Sequence, residues 1–462
     1  MDGRTKVCGL IGNPVEHSMS PLMHNFYGKQ TGINMAYVPF RVEDGRVGEA
    51  VAGAFALNIQ GLNVTVPHKQ HVMEHLTETD PAALAIGAVN TLVRRETGYK
   101  GYNTDGAGLR RAMDEAGIRI EGQECILLGA GGAARAAAWV LASGGALKIY
   151  LLNRSLERAA ELAETMNRLV GREVILPMKL EDYGRLPQKE HGYLAVQSTS
   201  VGMFPNVDRA IIEDPQFYKL LHTGMDIVYT PARTRFMELT EAAGGQAFNG
   251  LDMLLYQGII AYELWFPQVK VSAEDIETAR NMVCMQLAPK GEKIILTGFM
   301  GAGKTSIGKM IRSRYQIPMV DTDQLIEERA GMSIPEIFAS QGEEAFRRME
   351  TETLASLLED DRQMVISVGG GLPLRAENRE LLRKLGTVVL LEVTEETVYE
   401  RIGRDVSDRP MLQKGDVRAR IRELMAYRLP YYREAAHLRI QTDGRTPKEI
   451  ADEIKKELEK RE

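Results

Sequence analysis

The sequence predicts an α/β protein with mainly parallel sheets, and three observations predict it. Short apolar runs alternate with segments of helical periodicity almost throughout, the pattern of helices packed on parallel strands. Two glycine-rich stretches, 129–134 and 298–306, each stand between an apolar run and a helical segment, as phosphate-binding turns do. The 462 residues give room for about three domains at about 150 residues each.

Composition narrows the function classes. Hydrophobic residues are 44% and charged residues 26%, an ordinary globular balance that excludes global disorder. Lys+Arg is 57 against Asp+Glu 63, a net charge of −6. Without a basic block, neither nucleic acid nor a membrane surface is expected as a partner. Cys8, Cys125 and Cys284 are far apart and form no C-x-x-C, so a reducing cytoplasm is expected rather than a disulfide framework. The N-terminus lacks a continuous apolar segment ending at a small-residue cleavage site. The most apolar stretch, Cys125 to Leu152, is broken by glycines, Arg135 and Lys148, and falls short of the roughly 20 apolar residues a spanning helix needs. A soluble cytoplasmic protein is expected, and a homo-oligomer is left open.

In chain order, KVCGLI, AYVPFRV, GLNVTV, ECILLG, LKIYLL, REVIL, YLAVQ and MDIVY read as strands. Asp105 to Ala116, Ala134 to Ala142 and Leu156 to Leu169 carry apolar residues at helix spacing. After Leu287, the polar APKGEK marks a boundary, with a linker at 289–292, and KIILTG then opens a new strand. The last segment, PKEIADEIKKELEKRE, reads as an amphipathic helix with a charged outer face.

The first glycine-rich turn is Gly129-x-Gly131-x-x-Ala134. The first glycine allows the tight turn and the second lets a pyrophosphate approach the backbone. The small third residue lets helix pack on strand. Gly132 and Ala133 open the helix, whose N–H groups and positive dipole end face the phosphates. The next strand ends in Asn153-Arg154-Ser155, with Arg158 a helical turn on. An NAD site expects an acidic residue there; two guanidiniums suit a 2′-phosphate, and NADP(H) is expected.

The N-terminal third supplies a polar pocket. In GNPVEHSMSPLMHN, Ser18 and Ser20 precede a helix expected from Pro21, and hydroxyls near a helix start can cradle a carboxylate. Serines in a turn also serve simply as caps. GLNVTVPHK places Asn63, Thr65 and Lys69 beyond a strand end, GAVNTL does the same for Asn90, and GYNTDG sets Asn103 and Asp105 before a helix. A lysine and an aspartate converging on such a pocket make an acid/base pair, the ammonium protonating a carbonyl oxygen that receives hydride. Alone, Lys69 is a solvated lysine and Asp105 a helix N-cap. His71 and His75, spaced i,i+4, have neither HExxH nor a cysteine pair nearby, and no metal site is expected there.

GNPVEHSMSPLMHN, GLNVTVPHK, GAVNTL, GYNTDG, GAGGAAR, NRS and GLDMLLYQG, in this order, make residues 1–288 resemble shikimate dehydrogenase. The resemblance implies a substrate domain, 1–104 plus 249–288, and a Rossmann-type NADP domain, 105–248. It implies Ser18 and Ser20 on the substrate carboxylate, with Tyr229 near it. Asn63, Thr65, Asn90, Asp105 and Gln257 would hold ring hydroxyls, and Lys69 with Asp105 would serve catalysis. Gly129, Gly131, Gly132, Ala133, Asn153, Arg154, Ser155, Arg158 and Gly250 would hold the cofactor. One departure is QSTSVGM, where the family shows NATSxGM; Gln197 puts a local backbone brace in doubt.

The second half opens with GFMGAGKTS, which contains G-x-x-x-x-G-K-T directly after an apolar strand. Backbone N–H groups of Gly301, Ala302 and Gly303 would wrap phosphates. Lys304 would reach the β/γ oxygens and the Thr305 hydroxyl would ligate Mg²⁺, with Ser306 beside it. PMVDTD puts Asp321 and Asp323 at the end of the next strand, where one carboxylate can reach the metal's water shell and the other a substrate hydroxyl. GEEAFRRME gives Arg347 on a helix with Glu350 one turn on, and SVGGG gives Gly369, Gly370 and Gly371 after a strand. RIGRDVSDRPML reads as a mobile lid, and YRLPYYR gives Arg428 on a late helix. Arg347 and Arg428 could clamp a carboxylate.

The DTD, FRR, GGG, RPML and RLPYY set behind this loop resembles shikimate kinase, within a domain at 293–462. That resemblance implies Asp323, Arg347, Gly370, Gly371 and Arg428 around shikimate. Lys304, Thr305 and Asp321 would serve ATP and Mg²⁺. Arg409 would steady the transferring phosphoryl and Arg401 would stack on adenine. Together the two halves imply NADPH-dependent reduction of 3-dehydroshikimate followed by phosphorylation of shikimate. Quinate with another small polyol, or a metabolite sensor without turnover, are the other readings; the retained Lys69 and Asp105 argue against the sensor.

Overall fold

The computed structural model describes residues 1–203, 206–402 and 416–460. The chain divides into two units, Met1–Val283 and Cys284–Glu462.

The first unit begins with β1 (Lys6–Gly12), α1 (Ser20–Gln30), β2 (Met35–Arg41), α2 (Val47–Ala56), β3 (Gly61–Val64), β4 (Glu78–Thr79), α3 (Pro81–Ile86), β5 (Thr91–Arg94) and β6 (Tyr99–Tyr102). Its strands form one sheet in the order β2-β1-β3-β5-β6-β4. β1 is parallel to β2 and β3, but β5 is antiparallel to both β3 and β6. This sheet is therefore mixed. The Arg95 N–H donates to the Gly98 carbonyl at 2.8 Å and closes a hairpin, which needs no crossover helix. Ile11, Leu62, Val64, Leu92 and Tyr99 pack with Val47 and Val51 of α2.

A second sheet follows, built from α4 (Thr104–Glu115), β7 (Glu124–Leu128), α5 (Gly132–Ser143), β8 (Lys148–Asn153), α6 (Leu156–Val170), β9 (Ile175–Lys179), β10 (Tyr193–Gln197), α7 (Pro215–Tyr218), β11 (Leu221–Asp226), α8 (Arg235–Ala242) and β12 (Gln246–Phe248). The order is β12-β11-β10-β7-β8-β9, with every pairing parallel. Cys125 to Leu128 are wholly buried, as strands covered on both faces must be. From β7 the chain goes first to β8 and β9, then crosses back to β10. A crevice opens at the carboxyl ends of β7 and β10, the switch point where such sheets bind ligands.

Two strand limits differ from the sequence expectation, each for a local reason. β9 starts at Ile175, inside REVIL but three residues after its first residue, because Asn167 Oδ1 accepts from the N–H groups of Val174 and Ile175 and ties them to the end of α6. β11 ends at Asp226 rather than running through MDIVY, because Asp226 Oδ1 accepts the Val228 N–H at 2.9 Å and turns the chain. Helix α6 buries Ala159, Leu162, Ala163 and Met166, one face at helical spacing. Helices α9 (Leu251–Trp265) and α10 (Ala273–Leu287) follow. Gly108 of α4 lets α9 approach, since a Cβ there would lie 2.7 Å from the Gln257 nitrogen. Trp265 Nε1 donates to the Leu92 carbonyl at 2.9 Å, returning α9 to the first sheet.

The second unit contains β13 (Lys293–Thr297), α11 (Lys304–Tyr315), β14 (Met319–Asp321), α12 (Thr322–Ala330), α13 (Ile334–Leu358), β15 (Val365–Ser367), α14 (Ala376–Leu385), β16 (Gly386–Glu392), α15 (Glu395–Ile402), α16 (Val417–Ala435), β17 (Leu438–Gln441) and α17 (Pro447–Glu459). Its sheet is parallel, in the order β14-β15-β13-β16-β17. Leu296, Val365 and Leu390 meet Ile307 and Ile311 of α11 and Ile450 and Ile454 of α17 in one core. Thr446 and Glu449 form a capping box at the start of α17. Helix α13 breaks at Gly342, where φ is 81°. Among the described residues no helix is long and apolar enough to cross a membrane.

Candidate active sites

In the first unit the polar residues gather around the carboxyl ends of β1 and β3, with Asn63 inside β3 and Asn90 just before β5 rather than beyond strand ends. Ser20 opens α1, and its N–H donates to Ser18 Oγ at 3.2 Å. Asn63 is buried: Tyr37 Oη donates to its Oδ1 at 2.7 Å, and its Nδ2 donates to Thr91 Oγ1 at 3.1 Å. Asn90 is also buried, and its Oδ1 accepts from the Thr104 N–H at 2.7 Å and from Thr91 Oγ1 at 3.1 Å. Thr65 packs on Gly12, leaving no room there for a Cβ. The pocket is thus braced by Tyr37, Thr91 and Thr104, which the sequence reading did not single out. Threonines at the start of a strand and a helix carry no local signal of this role.

Lys69 Nζ meets Asp105 Oδ2 at 2.7 Å, with side chains 32% and 20% exposed. That leaves the pair reachable by a ligand, yet not freely solvated. Asp105 is not the N-cap of α4. Asn103 is, its Oδ1 accepting the Gly106 N–H at 3.0 Å, which frees Asp105 for Lys69. Gln257 lies against Gly108, one turn along α4 from Asp105. Tyr229 sits past β11, and burial raises its phenol above the ordinary value. Among the described residues it makes no hydrogen bond to the group just described.

The dinucleotide turn lies at the crevice of the second sheet. Gly129 has φ 105°, open to glycine and strained for other residues. A Cβ on it would meet Thr199 Cγ2 at 2.6 Å, whereas Cβ atoms on Gly131 or Gly132 would meet nothing. The turn is therefore packed beneath and open above, beside the N-terminus of α5, which fits a pyrophosphate. Ala133 stands in the first turn of α5. Asn153 ends β8 and Arg154 and Ser155 follow it, next to Gly129, whose N–H donates to Leu152 O at 2.9 Å. Arg154 and Arg158 are exposed. Ser155 caps α6 and also donates to Glu157 Oε2 at 2.7 Å. Gly250 faces Ile227, whose carbonyl forbids a Cβ there.

In the second unit the loop after β13 turns on Gly298, Gly301 and Gly303, with φ 148°, 79° and 93°. Ala302 is wholly buried beneath it, and Thr305 and Ser306 are exposed in the first turn of α11. Lys304 Nζ donates to the carbonyls of Gly298 at 3.0 Å and Phe299 at 3.3 Å, curled over the loop. Burial lowers its pKa, opposed by the charges of Asp323 and Asp321. Arg401 Nη1 donates to Gly301 O at 2.9 Å. Asp321 caps α12, accepting the Asp323 N–H at 3.1 Å, so Asp323 lies on the first helical turn rather than at the strand end.

Among the described residues Asp323 Oδ1 is buried without a hydrogen-bond partner, and it lies 2.6 Å from where a Gly369 Cβ would be. Burial, and then the Asp321 charge, push its carboxyl up to about 6. A buried polar atom without a partner is a vacancy for a ligand hydroxyl. The glycine turn is held from both sides. The Gly369 N–H donates to Thr322 Oγ1 at 3.2 Å, and Tyr432 Oη donates to Gly370 O at 2.6 Å. Arg347 covers Gly371 and pairs with the buried Glu350 at 2.9 Å. Arg428 Nη1 approaches Gly370 O at 3.5 Å. Tyr432 was missed, although it stands one helical turn from Arg428. Arg409 and most of the segment read as a lid lie outside the described residues.

Three family models match the chain. Residues 10–92 match the shikimate dehydrogenase substrate binding domain, residues 110–183 match shikimate / quinate 5-dehydrogenase, and residues 300–459 match shikimate kinase. The shikimate dehydrogenase (NADP(+)) of Desulforamulus reducens is 45% identical over 294 residues, spanning 62% of this chain and 98% of that protein. Shikimate 5-dehydrogenase from Listeria monocytogenes, solved with shikimate and NAD, superposes with a TM-score of 0.57 at 33% identity, covering 61% of this chain and 98% of the other. The Thermus thermophilus enzyme, solved with NADP(H) and shikimate, gives a TM-score of 0.52 at 30% identity, over 60% of this chain and 98% of that one. The chain thus belongs to the shikimate dehydrogenase family through its first unit and carries a shikimate kinase domain fused C-terminal to it.

Proposed function

We propose that this bifunctional shikimate-pathway enzyme reduces 3-dehydroshikimate to shikimate and then phosphorylates the hydroxyl it has made. The observation that carries the reading is the Lys69–Asp105 contact of 2.7 Å at the mouth of the polar pocket. A carbonyl gaining hydride becomes an alkoxide, and the ammonium gives it a proton. Asp105 orients the Lys69 ammonium and takes a hydrogen bond from a ring hydroxyl. Asn63, Thr65, Asn90 and Gln257 bind the remaining hydroxyls. Ser18, Ser20 and Tyr229 receive the carboxylate. When bound, NADPH supplies the hydride. Gly129, Gly131, Gly132, Ala133 and Gly250 would hold its pyrophosphate and nicotinamide ends, and Asn153, Arg154, Ser155 and Arg158 its 2′-phosphate.

In the second step Asp323 orients the 3-hydroxyl and accepts its proton, which suits a carboxyl raised to about 6. Arg347 and Arg428 clamp the carboxylate, with Gly370 and Gly371 against the ring. When bound, MgATP supplies the phosphoryl group. Gly301, Ala302, Gly303, Lys304, Thr305, Ser306, Arg401 and Arg409 would hold its phosphates and base, with Thr305 and Asp321 toward Mg²⁺. Among the described residues no three carboxylate, histidine or cysteine groups cluster as a metal cage. A magnesium carried by phosphates and water needs none. The three buried free cysteines suit a reducing cytoplasm.

One tube containing 3-dehydroshikimate, NADPH and MgATP tests the reading by mass spectrometry. Both shikimate and its 3-phosphate are expected. Absence of shikimate when MgATP is left out removes the first half of the proposal, and absence of the 3-phosphate from shikimate with MgATP removes the second. Parallel rates with quinate decide which polyol the first unit prefers.

A further inference from the structure

Two walls stand side by side along the β10 side of the crevice of the second sheet. One is the segment Ser198–Met203 after β10, and the other is Ile227–Tyr229 after β11. Ser198 Oγ donates to Leu128 O at 2.7 Å, and Thr199 lies under Gly129, so the first wall sits directly on the dinucleotide turn. On the second wall, Val228 O accepts the Gly250 N–H at 3.0 Å.

A single carboxylate joins these walls. Asp226 is wholly buried at the end of β11. Its Oδ1 accepts from Gln197 Nε2 at 3.2 Å and from the Val228 N–H at 2.9 Å, and its Oδ2 accepts from Thr234 Oγ1 at 2.6 Å. Gln197 carries the connection onward. Its Nε2 also donates to the carbonyls of Thr199 at 3.2 Å and Val201 at 3.1 Å, and its Oε1 accepts the Thr199 N–H. A buried carboxylate is costly to keep, and burial lifts this one to about 7 against its three donors. It lies outside the substrate pocket, and the mechanism above gives it no chemical task.

We propose that Asp226 and Gln197 are paired positioning residues for the nicotinamide dinucleotide, holding the Ser198–Met203 wall and the Ile227–Tyr229 wall at one spacing beside it. This rests on the assignment of the crevice to NADP(H). It also gives Gln197 a purpose: the longer amide reaches both the wall carbonyls and Asp226.

The test measures separate KM values for NADPH and 3-dehydroshikimate in the full chain, for Gln197→Leu, Asp226→Asn and the double variant. Each single change is expected to raise the NADPH KM about tenfold, the scale of one lost hydrogen bond to a charged group. The kcat should move less than about threefold, and the 3-dehydroshikimate KM, which also feels Tyr229 on the second wall, should rise less than the NADPH KM. The double variant should be no worse than the worse single one, since both act through one connection. A fall in kcat alone, the mark of a smaller folded fraction, overturns the proposal, as does an unchanged NADPH KM. Gln197→Leu removes no charge and keeps the proposal testable should Asp226→Asn fail to fold. Arg154→Ala tests the underlying assignment. If it too leaves the NADPH KM unmoved, the crevice is not the NADP site; if it alone raises that KM, only the positioning pair falls.

Discussion

Lys69 Nζ and Asp105 Oδ2 lie 2.7 Å apart although thirty-six residues separate them. Two local features bring them together. The Lys69 carbonyl accepts the Val89 N–H at 2.8 Å, which pins the backbone beyond β3. Asn103 caps α4, so the Asp105 side chain is free to turn toward the lysine. The expected outcome of Lys69→Ala is a loss of about 10³ in kcat for reduction, the scale of a missing general acid. The KM for NADPH should change little, because Lys69 is not placed on the dinucleotide. Shikimate-dependent ADP production should persist, and its loss in a folded protein would contradict separate sites.

The converse variant is Lys304→Ala. Its Nζ reaches over the Gly298 and Phe299 carbonyls, where a phosphate would replace them as partner. Kinase turnover should fall by about 10³, as when a charge-stabilising donor is removed. NADPH oxidation should stay at the parent rate. An assay that reads both absorbance loss and ADP release in one sample checks both outcomes.

What was legible in the sequence was local, and what was hidden was pairing at a distance. Gly129, Gly303 and Lys304 are readable because a strand, a turn and a helix follow one another within a few residues. Arg347 and Glu350 are readable as neighbours on one helical face. The Gln197–Asp226 contact spans twenty-nine residues and the Tyr432–Gly370 contact sixty-two, and neither leaves a periodic trace. The β5–β6 hairpin was passed over because its strands are only four residues each. Whether Asp105 caps α4 or pairs with Lys69 is not readable from its own neighbourhood, since nothing in TDG tells which polar residue turns inward.

Asp226 imposes a pH dependence on the first unit. Burial raises its carboxyl from 3.8 to about 7 in the folded state. The folded state therefore keeps a proton that the unfolded state releases. Its contribution is full below the unfolded value and is lost as pH rises through about 7. The chain's two tryptophans, Trp139 and Trp265, both lie in this unit, so tryptophan fluorescence reports its unfolding. The urea midpoint should fall between about pH 5 and about pH 8, and Asp226→Asn should flatten that fall. A parallel decline in both proteins would assign the dependence elsewhere.

Glu350 should matter more than a surface ion pair. Its side chain is 1% exposed and its partner Arg347 18% exposed. Glu350→Ala leaves a largely buried guanidinium without that partner, which costs about 3 kcal/mol. The exposed Glu343, 3.0 Å from Arg347 Nη2, cannot replace it in the same place. The shikimate KM of the kinase should rise with the lost orientation of Arg347, while the ATP KM stays put. A fall in kcat with both KM values unchanged would point to a smaller folded fraction instead.

Gly129 and Gly131 should fail differently, and the contrast separates a folding role from a binding role. Gly129 has φ 105°, and an added Cβ would meet Thr199 Cγ2 at 2.6 Å. Gly129→Ala therefore strains the backbone and pushes on the Ser198–Met203 wall, a loss of about 2 kcal/mol in stability. Gly131 has φ −91° and ψ −168°, which any residue adopts, and open space above it. Gly131→Ala should leave stability within about 0.5 kcal/mol of the parent, yet its methyl would stand where the pyrophosphate must approach. Both variants should bind NADPH at least about tenfold more weakly. Only Gly129→Ala should also lower the urea midpoint. Calorimetric titration with NADPH alongside tryptophan-detected unfolding reads the two effects apart. Full NADPH affinity in Gly131→Ala would move the dinucleotide away from the N-terminus of α5.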